Sequence, residues 1–458
     1  MINFDRLDND FFIKIFEKIC NRINVEEERH RRLKFKVKKE KNKIKKKAME
    51  QTNSTDDYNI IINKCFNIIR MLMNSKIFVV KNETQIEQCL TPLIQYMENP
   101  EKIDFDEDLV NSIYLLIIHT NKITPISFNL LLNLHKYCKK ISGILLDMYE
   151  LLNAYLAYGT DQILGNDNYL NALFLSFQEG IKSTKFKNSP FYTCLLIQTW
   201  IINCDKINQK FIADLVDIII QKIFIIIKEY NANENNNLGD DNYNFLGFVT
   251  LIIAGLINYS NVIINQLNKY SCASNLKGWL DIINNENEPG FEYEIKILIY
   301  SISTIIQRNI LKDDIGYLLN VCIELLNSQG YNAKFELKKE TKKLFNNFKD
   351  DEQSDEEDNS YEEMDDYQEI KDLIKRTINP IKAMDEFIIF NDLLIYLKNN
   401  RNDIYIKWEN SLNEKQKQNI YKLLGTKRIN ITINKKDNVQ VPRRIVSIKR
   451  NINNSNNQ

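Results

Sequence analysis

Glycine and proline are both scarce, 12 and 7 in 458 residues. An α/β enzyme of this length needs more glycine for its phosphate loops and tight turns. No GxGxxG, GxxxxGK or HExxH pattern occurs, and Ser, Cys and His form no nucleophile arrangement. Three histidines and eight cysteines without a CxxC offer no zinc-ligand spacing. Cys20, Cys65, Cys89, Cys138, Cys194, Cys204, Cys272 and Cys322 read instead as small buried apolar residues of a reducing compartment. Asn-Gly and Asp-Gly hairpin turns are missing. The longest apolar run, 245–257, is thirteen residues and too short to span a bilayer. The N-terminus is charged and lacks the apolar centre of a signal peptide. These absences argue against an enzyme, and no cofactor, metal site or membrane insertion is expected.

What is present is length, helical rhythm and segregated charge. A chain of 458 residues exceeds one compact core and implies several domains or an elongated array. Apolar residues between 4 and 19 lie at helical spacing, so 1–27 reads as one amphipathic helix. From Tyr58 to about Asn347, apolar-periodic segments alternate with short polar breaks. The spacing predicts helices near 58–74, 84–98, 106–120, 126–138, 141–157, 167–182, 190–203, 207–229, 242–258, 260–269, 274–286, 291–307, 313–328 and 333–348. Thr124-Pro125 and Ser189-Pro190 read as helix starts. In 207–229 the apolar face is Ile207, Phe211, Leu215, Ile218, Ile219, Ile223, Ile226 and Ile227, with Lys222 intruding. The segment 245–257 is apolar all round and should be covered on both sides. Helix pairs with short loops and no dominant core predict an all-α fold, an α-solenoid of HEAT- or armadillo-like pairs. The expected organisation is an N-terminal helix and basic arm (1–57), the solenoid (58–349), an acidic disordered insert (350–369), a C-terminal helical cap (370–425) and a basic disordered tail (426–458).

The net charge is zero, 61 basic against 61 acidic residues, but the average hides two blocks. Between Arg29 and Lys47 stand twelve Lys/Arg and one acid, Glu40. Between Asp350 and Glu369 stand twelve carboxylates and no base. The basic run could bind nucleic acid or serve as a nuclear address, yet it reads better as a solvated, partly helical arm. A nucleic-acid partner is not expected, because the helices lack a basic, aromatic-rich face. The acid block cannot fold alone. It reads either as a polyanion that engages a basic partner or as a solvated linker. Its candidate partner-binding residues are Asp355, Glu356, Glu357, Asp358, Glu362, Glu363, Asp365 and Asp366. His119 and His135 on apolar helices read as satisfied core histidines, Trp408 as packed in a terminal hairpin, and Asn413 with Gln416 as a capping box.

The order of motifs after the acid block carries a resemblance. Asp385-Glu386-Phe387 with Phe390 is followed by a helix, Trp408, and a helix opening on Leu412 and Gln416. This order resembles the importin-beta (karyopherin-beta) superfamily, in its importin seven and importin eight branch, over the C-terminal half of a member and about residues 58–424 here. Asn168-Tyr169-Leu170-Asn171-Ala172-Leu173 and the two long apolar helices after it sit where that branch has a similar helix order. The resemblance implies a nuclear transport receptor that binds basic cargo such as ribosomal proteins or histones. It also implies Ran GTPase and nucleoporins as partners, and shuttling between nucleus and cytoplasm at the nuclear envelope. Three features depart from the pattern: the Ran-binding repeats of the family's N-terminal half have no counterpart, Trp408-Glu409 replaces the usual Trp-Tyr, and the tail lacks Phe/Gly motifs. The alternative is a HEAT-repeat scaffold or adaptor without a transport cycle, for example in ribosome assembly.

Overall fold

The computed structural model describes residues 9–39, 55–100, 105–232, 238, 241–285, 292–311, 314–326, 385–414, 417, 418 and 420. Among these residues the fold is all-α, with no strand. The helices are α1 (Asn9–Lys39), α2 (Thr55–Met73), α3 (Lys76–Lys81), α4 (Glu83–Ile94), α5 (Asp106–Thr120), α6 (Pro125–Ile141), α7 (Leu146–Tyr158), α8 (Thr160–Leu164) and α9 (Asp167–Lys182). There follow α10 (Ser189–Asn203), α11 (Gln209–Ala232), α12 (Asn242–Lys269), α13 (Asn275–Asn285) and α14 (Glu292–Gln307). The last are α15 (Ile315–Leu326), α16 (Glu386–Asn400) and α17 (Asn402–Ser411).

Packing places eleven of these helices in two rows. One runs α5, α7, α10, α12, α14, α16, each against the next. The other runs α1, α4, α6, α9, α11. Contacts of α9 with α10 and of α11 with α12 join the rows, and α2 lies against α1 of one row and α5 of the other. A helix in such an array buries two stripes, one toward its row neighbours and one toward the other row. This is why α11 buries Ile212, Val216 and Ile220 besides the expected Phe211, Leu215, Ile219, Ile223 and Ile226. Ile218 and Ile227, read as part of the apolar face, are only half-buried.

Local chemistry sets most of the boundaries. Pro125 and Pro190 stand in the first turns of α6 and α10, where a missing N–H costs nothing. Asn166 accepts from the Asn168 N–H at 2.9 Å to start α9, and Ser75 accepts from Phe78 at 3.3 Å to start α3. The scarcity of glycine shows at the helix ends. Asn121, Ser142, Ser271 and Asn309 take left-handed conformations, with φ of 56°, 64°, 54° and 59°. Three of them close Schellman turns: Gly143 donates to Cys138 O (2.9 Å), Cys272 to Leu267 O (2.9 Å) and Ile310 to Ile305 O (3.1 Å). A glycine is used where two backbones must approach. A Cβ at Gly180 would meet Thr193 Oγ1 at 2.1 Å, so only glycine lets α9 close on α10.

Several sequence expectations need correction. The first helix does not stop at 27 but runs to Lys39, because Glu26, Glu27 and Glu28 pair with arginines one turn away and carry the helix into the basic run. The segment 84–98 ends in a 3₁₀ turn, Gln95–Glu98, and the separate short helix α3 precedes it behind its Ser75 cap. The helix expected from 141 begins at Leu146, because α6 first terminates in the left-handed Ser142. The expected helix 333–348, the acid block and the tail lie outside the described residues.

Ser271 is exposed and pays for its left-handed backbone without a glycine's freedom. Ser271→Gly should therefore stabilise the protein by about 1 kcal/mol. Urea unfolding of the two proteins measures this, and an unchanged or lowered midpoint would contradict it.

Candidate functional site

The eight carboxylates expected to bind a partner, Asp355 to Asp366, lie outside the described residues. The structure does show what anchors the chain on the far side of that block. Asp385 caps α16, its Oδ1 accepting from the N–H groups of Phe387 (2.9 Å) and Ile388 (3.3 Å). Glu386 is buried and faces Lys296 of α14 at 3.8 Å. Phe387, Phe390, Leu393 and Leu397 bury the α16 face that lies on α14. Arg401 Nη1 donates to Asn309 Oδ1 (3.1 Å), and Tyr396 OH donates to the Gln307 carbonyl (3.2 Å). Trp408 is buried, and its Nε1–H donates to Asn320 Oδ1 of α15 at 3.0 Å. The motif residues therefore clamp α16 and α17 onto α14 and α15. Sequence reading found Asp385, Glu386, Phe390 and Trp408 but missed Lys296 and Asn320, which face Glu386 and Trp408, and Asn309, which faces Arg401; none of the three carries a motif of its own.

The start of the basic run is built into the core. Glu27 is fully buried and accepts from Arg31 Nε at 2.5 Å and from the Tyr58 hydroxyl of α2. Arg31 also lies over the Tyr96 ring, 4.3 Å from its centroid, and His30 stacks on Tyr58 at 4.1 Å. Arg29 and Arg32 face Glu26 and Glu28 at 3.7 and 2.9 Å. The arginines at 29–32 are thus neutralised locally, and the uncompensated charge begins at the exposed Lys34 and Lys36.

A polar cleft of about 190 Å³ opens where α12 bends, lined by Asp205, Lys206, Gln209, Asn258, Tyr259 and Asn261 among others. Tyr259 leaves helical geometry (φ −128°, ψ 32°), and its hydroxyl accepts from the Ile207 N–H and donates to the Cys204 carbonyl. Asn258 donates to the Ile201 and Ile202 carbonyls, which α10 leaves unpaired at its end. The bend frees the Ile257 carbonyl, and Arg308 Nη1 donates to it. Asn258 and Tyr259 of the cleft thus tie α12 to the end of α10 and to the 204–207 connection. Among the described residues no group of three or more His, Cys, Asp or Glu could hold a metal ion.

Other polar groups depart from expectation. His119 and His135 are half-buried rather than core residues. Nε2 of His119 and Nδ1 of His135 have no hydrogen-bond partner, so neither ring is fully satisfied. Burial, chiefly, holds both below the usual imidazole range, which keeps them neutral. Glu294 of α14 is fully buried and neither carboxyl oxygen finds a partner. Desolvation pushes it up to about 8. It does not line the cleft, so it reads as a protonated core group rather than a catalytic base.

No family model, no curated protein and no solved structure matches the chain.

Glu294 carries a pH signature. In the unfolded chain it ionises near 4.5, and in the fold only near 8. Between those values the folded protein holds a proton that the unfolded chain has lost, so stability falls as pH rises through that window. Glu294→Met should remove this component. Between pH 5 and 7 wild type should lose about 2–3 kcal/mol more than the variant. Urea unfolding at several pH values tests it, and parallel pH profiles for the two proteins would refute it.

Proposed function

We propose that the chain is an α-solenoid of HEAT-like helix pairs that binds a basic protein, as an importin-like nuclear transport receptor does. The observation that carries the reading is the two-row packing, in which each helix rests on the next of its own row, together with twelve carboxylates in twenty residues before the α16 clamp. Helix pairs stacked in this way form an extended surface suited to a protein partner rather than a small molecule. A polyanionic segment on such a surface attracts basic proteins over long range and screens their charge. Asp355, Glu356, Glu357, Asp358, Glu362, Glu363, Asp365 and Asp366 are the residues proposed to do so. Ribosomal proteins and histones are the proposed cargo class. Ran GTPase, nucleoporins and shuttling between nucleus and cytoplasm belong to the same proposal through the motif resemblance. The described contacts of Asp385, Phe390 and Trp408 support a structural use of that motif. A scaffold or adaptor without a transport cycle is favoured by the same packing, since nothing in it requires a nucleotide-dependent partner.

Neutralising Asp355, Glu356, Glu357 and Asp358 together to Asn and Gln should slow association with a basic ribosomal protein or histone. The salt dependence of that association should flatten, and thermal stability should stay nearly constant. Association rates at several ionic strengths measure this, and equal rates and slopes would reduce the acid block to a linker. Small-angle scattering tests the array separately, with an elongated profile expected and a compact sphere counting against it.

A further inference from the structure

Exposed apolar side chains are not spread evenly over this fold. Among the described residues twelve large ones are exposed. Eight stand on α1, α2 and α3, three stand on α16 and α17, and the helices between contribute only Ile225. Single exposed apolar residues are ordinary on a protein surface, but a set confined to two places marks contact surfaces. The two places are the ends of the array. α2 and α3 lie against α5, the first helix of one row, and α2 also lies against α1, the first of the other. α16 closes its row on α14 and carries α17. In a stacked array the inner helices are covered by their neighbours, and an end that stays single needs a polar outer face.

The two ends differ in charge. Ile60, Ile68 and Met71 recur on one side of α2 at helical spacing, with the exposed Lys64 between them. The opposite side of that helix buries Ile62, Phe66 and Ile69. Ile77 and Val80 stand a turn apart on α3, between the exposed Lys76 and Lys81. From Tyr58 to Asn82 the sequence has no Asp or Glu, and its one arginine, Arg70, is paired with Asp108. This end is apolar and positive. At the other end Ile388 and Ile395 lie two turns apart on α16 with the exposed Asp392 between them. Ile406 of α17 follows the exposed Asp403 by one turn. Of the exposed lysines here, Lys398 lies over the Tyr405 ring, 6.0 Å from its centroid, and Lys407 sits about a quarter turn around α17 from Ile406. We propose that the α16–α17 end of one copy stacks on the α1–α3 end of a second copy, continuing the array head to tail.

Complementarity favours this pairing over the two symmetric ones. Two α2–α3 faces brought together would set lysines against lysines, and two α16 faces would set Asp392 against Asp392. Joined head to tail, the apolar side chains of both ends are covered, and the lysines of one end face the aspartates of the other. Such a contact leaves each copy one open end, so it builds open chains, or rings where the rotation closes, rather than a closed pair.

Sedimentation velocity of the full-length chain at rising concentration tests the proposal, and species larger than two copies are expected. Two variants separate the ends. Ile68→Glu with Met71→Glu blocks the α2 face, and Ile388→Lys with Ile395→Lys blocks the α16 face. Each alone should associate more weakly by at least about tenfold and run as a monomer. An equimolar mixture should form a one-to-one pair, because each variant brings the intact end that the other lacks. Lys64→Glu added to the α16-blocked variant should weaken that pair several-fold, and Asp392→Lys added to its partner should restore it. The substituted positions are exposed, and circular dichroism checks that helix content is kept. Should a variant unfold, the wild-type concentration series still decides. A wild type that stays monomeric at every concentration, or stops at two copies, would overturn the assignment. So would self-pairing of either blocked variant, which requires a symmetric contact.

Discussion

Everything in this fold depends on the burial of α12. Its residues from Phe245 to Leu256 are enclosed on every side, with α10 and α14 flanking it in its own row and α11 covering it from the other. A surface helix needs one apolar stripe, but a helix with neighbours on three sides must be apolar nearly all round. That requirement explains why the composition passes the test for a membrane-crossing helix while the segment packs as a core element. The helix is also closely packed against α10. A Cβ at Gly247 would meet Phe191 at 3.1 Å and Cys194 at 3.3 Å, so α10 and α12 approach more closely than alanine would comfortably allow.

The bend in α12 follows from the same packing. A straight helix of 28 residues would pass the end of α10, and the break at Tyr259 lets the chain stay against α11 beyond it. Breaking a helix exposes carbonyls, and each exposed carbonyl must be paired or solvated. Arg308 takes the one at Ile257, while Asn258 and Tyr259 pair the carbonyls at the end of α10. The polar residues at this junction thus repair two helix ends at once.

Buried carboxylates are handled in two opposite ways. Glu27 keeps its place through a guanidinium and a tyrosine hydroxyl, and with Arg31 over Tyr96 the group ties α1 to α2 and to the 3₁₀ turn at 95–98. Glu294 has no such partners and is held as the neutral acid. Desolvation without a counter-charge favours the protonated form, whereas a hydrogen-bonded ion pair can keep the charge at the cost of tight geometry. Glu27 has its counter-charge, Arg31, one turn on in the sequence, whereas Glu294 stands between Tyr293 and Ile295; that both are buried, and that Tyr58 reaches Glu27, depends on tertiary packing.

The amino-acid pattern by itself determined the helical class and most element positions. Helical periodicity is a short-range property, and prolines at 125 and 190, with caps at Ser75, Asn166 and Asp385, act within one turn. The break at Tyr259 was legible as a gap between two expected helices, though not as a bend within one. The acid block was legible from composition, yet its contacts are not among those described, so its role rests on charge alone. Only the tertiary structure decided which helices share a row, that α1 joins α2 and α4, and that Glu27 meets Tyr58. Those facts depend on residues dozens of positions apart finding one another, and no local spacing encodes them. The physical reason is that secondary structure follows from neighbours along the chain, whereas pairing, protonation and burial follow from neighbours in space.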